Sequence, residues 1–202
     1  KSTLQKLEEA LRSLNYPGVC VTSYTDYESG ELIKRAQSTK VIGNSVAYAV
    51  KYFRTFSFFS GLVFKTDEAQ KFDTDEFDKS IYYQFYLATK MISEGGILAM
   101  VELPVVRYCI TIDGEKVPTA AKNLASEVSF RSRYTGHDSV VRVMLKTIRN
   151  YTDQKTMEKY FTSIFIQIYS VSYLYALFNY RIKENWSFSF GVARNMFPTK
   201  MW

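Results

Sequence analysis

The sequence predicts an α/β fold followed by a mainly helical C-terminal extension, and three observations carry that prediction. Leu4, Leu7, Leu11 and Leu14 recur at helical spacing, and after Pro17-Gly18 comes the strand-like run Val19-Cys20-Val21-Thr22-Ser23-Tyr24. A second helical pattern places Ile81, Phe85, Ala88 and Ile92 on one face, stops at Gly95-Gly96 and hands over to two further apolar, β-branched runs. Beyond Asp113-Gly114 the strand-like runs cease and helical periodicity alone remains. Helix, short break and buried strand in succession is how a chain lays helices against a sheet.

Taken in order, the opening dozen residues form an amphipathic helix, and Val19–Tyr24 forms a strand rich in β-branched and aromatic side chains. Glu28–Asn44 is polar and mixed, a loop with a short helix or strand. Val46–Arg54 reads as a helix. Phe56–Phe64 reads as a strand carrying Gly61, where another backbone or a ligand approaches closely. Asp67–Lys71 makes one helical turn. Asp78 or Ser80 caps the next helix, because a short side-chain oxygen there meets an unpaired N–H of the first turn. Residues 97–101 and 105–112 read as two strands joined at Pro104, with Asp113-Gly114 as a turn. Residues 117–132 are mixed and open with a short helix. Asp138 or Ser139 caps a helix with Val140, Met144 and Ile148 on one face, and a longer helix runs from Thr156 to Arg181. The chain therefore divides into an α/β part over 1–115 and a helical extension over 116–202.

A chain of 202 residues buries a real core, and with 16% aromatic against 23% charged residues it is globular. The net charge of +6 favours anionic partners such as phosphates or a membrane surface. Its basic residues are scattered and form no nucleic-acid-binding motif, which argues against a nucleic-acid partner. Cys20 and Cys109 sit in apolar strand-like runs, as buried structural thiols do, and with the single His137 they do not make a zinc site. The segment 160–180 has no charged residue and is long enough to span a bilayer. Its polar Thr162, Ser163, Gln167, Ser170, Ser172 and Asn179 dilute the apolar signal, so a buried or interfacial helix is expected. Arg181, Lys183, Arg194 and Lys200 alternate with Trp186, Phe188, Phe190, Phe197 and Trp202; this fits a peripheral membrane contact through 160–202, or an ordinary packed terminus.

Two constellations carry chemistry. The run Phe72-Asp73-Thr74-Asp75-Glu76-Phe77-Asp78 sets four carboxylates just ahead of a helix. Crowding like charges makes one carboxylate a better proton acceptor, the property a general base needs. A solvated acidic loop with a capping Asp gives the same spelling. The second is Arg131-Ser132-Arg133-Tyr134-Thr135-Gly136-His137-Asp138-Ser139. Here a glycine-containing loop with arginines opens a helix, and helix N-termini and guanidinium forks both suit phosphate. A polar loop ending in a normal cap is the plain alternative.

The stretch Phe53–Val106 orders these pieces as an apolar run ending in Gly61-Leu62-Val63-Phe64, an acidic loop, an amphipathic helix, a Gly-Gly turn and two further strand-like runs. That order resembles the acceptor-side half of the family-2, inverting glycosyltransferases of GT-A fold, especially those that build surface polysaccharides. The resemblance covers roughly residues 1–150, because the opening leucine helix and the Val19–Tyr24 strand match the helix and strand that come directly after the metal motif in that family. It implies an enzyme that moves a sugar from a nucleotide-sugar to a saccharide or lipid-linked saccharide acceptor, with a divalent metal (Mn or Mg), on the cytoplasmic face of the plasma membrane. It implies Asp78 as the base, with Asp75 or Glu76 second, and an acceptor pocket at Gly61, Tyr82, Tyr83 and Gln84. Arg131, Arg133, His137 and Ser139 would meet the donor diphosphate, and His137 its metal. The chain departs from the family at Ile81-Tyr82-Tyr83-Gln84, where a carboxylate pair is expected and none stands. Asp73-Thr74-Asp75 has the spelling of the metal motif but comes after the Gly61 strand, so the donor-binding half is expected upstream of Lys1. The other reading the residues allow is a non-catalytic, basic and aromatic binding module at a membrane surface or in a larger assembly.

Overall fold

The computed structural model describes residues 1–57, 59–77, 82–108, 111–112, 115–116 and 137–183. Helix α1 (Thr3–Ser13) starts in a capping box: Gln5 N–H donates to the Ser2 hydroxyl at 3.3 Å, and the Gln5 side-chain oxygen accepts from Ser2 N–H at 2.8 Å. It ends where Asn15 and Tyr16 turn left-handed, with Tyr16 N–H closing onto the Leu11 carbonyl at 2.8 Å. Pro17 and Gly18 then lead into β1 (Val19–Asp26).

β1 is the axis of a five-stranded mixed sheet. Along one edge it pairs in parallel with β5 (Leu98–Tyr108), which in turn pairs antiparallel with β3 (Lys40–Gly43). Along the other edge β4 (Leu62–Phe64) pairs antiparallel with Val19–Val21 and β2 (Leu32–Ile33) with Tyr24–Thr25. The short strands β2 and β3 are what the polar segment 28–44 contains. The two runs expected on either side of Pro104 are one strand, β5. Proline has no N–H to give the ladder, and the strand absorbs it in a register shift, with Thr22 opposite Val101 and Ser23 opposite Pro104.

Side-chain alternation sends Val19, Val21, Leu98 and Met100 to one face and Cys20, Ala99 and Val101 to the other. The first face carries α2 (Val46–Tyr52) and α4 (Tyr83–Ser93); the second is covered by Ala10, Leu11 and Leu14 of α1. The strand expected over Phe56–Phe64 is short: Phe53–Ser57 and Phe59–Gly61 are 3-10 turns, and only Leu62–Phe64 is strand. Phe53 and Phe56 are both fully buried, and their spacing of three sets them on one side of a helical turn rather than alternating. α3 (Thr66–Ala69) and a 3-10 turn over Gln70–Phe72 supply the helical turn expected near Asp67.

α5 (His137–Ile148) and α6 (Gln154–Lys183) form a further layer on α4 and α2. Val140, Met144 and Ile148 are buried as their spacing predicts, beside Ile164 and Ile168 of α6. α5 already begins at His137, so Ser139 lies within its first turn and does not cap it. Asp153 precedes α6 and accepts from Thr156 N–H at 2.8 Å, which caps that helix. No helix among the described residues is long and apolar enough to cross a membrane. The hairpin register Ile112↔Glu115 flanks the predicted Asp113-Gly114 turn, which lies outside the described residues, as do Cys109, 117–132 and the tail 184–202.

Candidate active site

α4 passes directly into β5 through Glu94–Ile97, reversing at Gly95 (φ +95°). Helix and strand therefore run in opposite directions, and the first turn of α4 lies toward the carboxyl ends of β1 and β5. Open α/β sheets gather their ligands at that end. On β1, Thr22 and Ser23 are polar yet fully buried. The Thr22 hydroxyl donates to the Gly61 carbonyl at 3.1 Å, and the Ser23 hydroxyl accepts from the backbone N–H groups of Arg35 (3.3 Å) and Ala36 (3.4 Å). The Gly61 carbonyl is thus held by a side chain of β1.

The acidic run forms a 3-10 turn over Asp75–Phe77, pinned by aromatic neighbours. Phe77 packs on Tyr86 with ring centroids 4.7 Å apart, and the Tyr86 hydroxyl donates to the Phe72 carbonyl at 2.9 Å. Its carboxylates differ in their engagements. Asp73 accepts the Tyr83 hydroxyl, and Glu76 pairs with Lys146 of α5. Asp75 is exposed and takes no hydrogen bond or ion pair among the described residues. Asp78 and Ser80 lie outside the described residues, and the N-cap position of α4 falls to Tyr82, which makes no side-chain cap.

Of the expected acceptor residues, Tyr82 is buried and meets Phe85 edge-on at 5.5 Å. Burial pushes its phenol well above the ordinary tyrosine range. Tyr83 is half-buried, and desolvation, with its bond to Asp73 second, pushes its phenol up to about 12. Gln84 is 7% exposed, and among the described residues its amide has no hydrogen-bond partner.

Of the expected diphosphate residues, Ser139 alone has a described side chain. Arg131 and Arg133 lie outside the described residues, as does the side chain of His137 at the start of α5, and Ser139 is 2% exposed. Two cations without a signal in the sequence do belong to this region. Lys146 holds Glu76 of the acidic turn. Arg35 carries a buried guanidinium nitrogen and, through its backbone, Ser23; burial pulls its pKa down to about 10. The nearest thing to a signal for Arg35 is the pair Lys34-Arg35 inside a polar segment, and a lone basic pair is too common to act on. A divalent cation needs several oxygen or nitrogen ligands together. Among the described residues no three His, Cys, Asp or Glu side chains come together in that way.

Compared with known protein families, with curated proteins and with solved structures, the chain matches none.

Proposed function

We propose that the chain is the acceptor-side part of a family-2-like inverting glycosyltransferase of GT-A fold, acting in surface polysaccharide synthesis at the cytoplasmic face of the plasma membrane. The donor is a nucleotide-sugar and the acceptor a saccharide or lipid-linked saccharide. The observation that supports this reading is the first turn of α4, where the Tyr83 hydroxyl binds Asp73 of the acidic run and Gln84 follows it on the helix. A carboxylate and a neutral amide at one helix start are what a hydroxyl-bearing acceptor asks for. The amide fixes a hydroxyl, and the carboxylate takes its proton as the oxygen attacks the anomeric carbon and the nucleoside diphosphate leaves from the opposite side.

Asp78 is the first choice for the base on the family resemblance. Asp75 is the second, because its carboxylate is uncommitted among the described residues whereas Glu76 is held by Lys146. The test is nucleoside diphosphate release from UDP-, GDP- and CDP-sugars by the full-length protein. Asp78→Asn is expected to lose on the order of 10²–10⁴ in turnover while melting as the parent does. Unchanged turnover in both Asp78→Asn and Asp75→Asn removes the acidic turn from the chemistry. A parent protein that releases no diphosphate from any donor leaves the binding-module reading in its place.

A further inference from the structure

At the opposite end of α4 lies a cleft of about 380 Å³, bounded by the end of α1, by α3 and the turn after it, and by the Gly95-Gly96 reversal. It sits at the amino ends of β1 and β5, roughly 16 Å along α4 from the first turn. Its size falls within the usual range for small-molecule sites.

Two carboxylates line it, each engaged through one oxygen. Glu68 binds Lys65 through Oε1 at 2.8 Å, while its Oε2 lies over Gly18, 2.6 Å from where a Cβ would stand. Glu94 takes Lys90 and the Tyr151 hydroxyl on Oε1. Between them stand Lys71, exposed and without an ion pair among the described residues, the Asn15 amide and the ring of Phe72.

The mixture of signs selects the ligand. A phosphate entering the cleft meets Glu68 and Glu94, and an ammonium meets Lys65 and Lys71. A neutral ligand rich in hydroxyls uses both sets, giving its protons to the carboxylates and taking them from Lys71 and Asn15, with an apolar ring face against Phe72. We propose that this cleft is a second saccharide-binding subsite, holding a neutral sugar away from the acidic turn. The assignment rests on the reading that the protein handles saccharides, and it adds a place on the molecule that this reading does not use.

The experiment is an amide-shift titration of the ¹⁵N-labelled chain with cellobiose and with maltose, with inorganic pyrophosphate as the charged control. A disaccharide is expected to move Gly18, Gly95 and Gly96. Glu68→Gln and Gly18→Ala are expected to weaken binding about tenfold, because each disturbs a charge-assisted acceptor. In Gly18→Ala the new methyl displaces the flexible end of Glu68 and leaves the backbone in place. Shifts confined to Tyr83 and Gln84 overturn the cleft and keep the acceptor site. Shifts at neither place overturn both. Pyrophosphate moving the cleft residues, or unchanged affinity in both variants, also overturns the proposal. If the variants do not fold, the shift map of the parent chain decides alone.

Discussion

The two faces of the sheet are built from the same strands and are covered very differently. Val19, Val21, Leu98 and Met100 face α2 and α4, and behind those helices α5 and α6 add Met144, Ile148 and Ile164, all fully buried. Cys20, Ala99 and Val101, equally inaccessible, face α1 as the one helix among the described residues. α1 buries no residue completely; Leu11 and Leu14 are half-buried and Leu4 is 75% exposed. Strand burial alone therefore does not say where the stability lies. The face with two helical layers holds the fold and carries the acidic turn and the first turn of α4. Among the described residues the α1 face is held by a few half-buried leucines, and elements of that kind open locally at lower cost than the whole.

The largest test of this contrast sets a core residue of the layered face against its counterpart under α1. Phe53 is 1% exposed and meets Phe85 at 6.1 Å. Phe53→Ala is expected to cost about 3–5 kcal/mol of unfolding free energy in denaturant titrations. Leu11→Ala removes a half-buried side chain from the other face and is expected to cost about 1 kcal/mol. Equal losses would mean that α1 is as integral as α4.

Periodicity made the layered face legible. Phe85, Ala88 and Ile92, and Val140, Met144 and Ile148, lie buried where their spacing puts them. The leucines of α1 and the run Val19–Tyr24 were equally plain. The aromatic stretch before Gly61 was not. Phe and Tyr favour strands by propensity, but tertiary packing put Phe53 and Phe56 on one side of a 3-10 turn. Pro104 looks like a break in the sequence because a register shift across β1, which absorbs it, has no local signature. At the site, the acidic residues and Gln84 were visible as residue types. Their differing engagements were not, because Lys146 lies 70 residues from Glu76 and Tyr83 reaches back to Asp73 across a turn. Arg35 and the cleft beside Glu68 depend on long-range closure, which no run of neighbouring residues encodes.

A smaller effect reads the opening of α1 directly. Cys20 is fully buried, and burial pushes its thiol up to about 12, so at pH 8 it is a poor nucleophile as well as an inaccessible one. Maleimide labelling mapped by mass spectrometry is expected to reach Cys20 slowly in the parent and several-fold faster in Leu11→Ala. Phe53→Ala, at a denaturant concentration giving the same global stability, is expected to raise it less. The reverse ranking would place the weak seam on the layered face and undo the contrast.

The smallest expected effect lies beside the acidic turn and concerns alkaline pH. Tyr83 is half-buried, its hydroxyl donates to Asp73 and it accepts from Thr74 N–H at 3.3 Å. Desolvation first, and the Asp73 carboxylate second, hold its phenol protonated up to about 12. An unfolded tyrosine titrates near 10. A folded pKa above the unfolded one means that the folded chain keeps a proton the unfolded chain gives up. The stabilisation is complete below about pH 10 and is lost as pH rises from there through about 12. Tyr83→Phe has no proton to lose at this position, so its stability is expected to fall less steeply than the parent's across that window. Absorbance at 295 nm should show one late-titrating tyrosine fewer. Parallel slopes would mean that the Asp73–Tyr83 bond is not kept in solution. The acidic turn would then be as loosely held as α1, and the contrast between the two faces would not extend to the site.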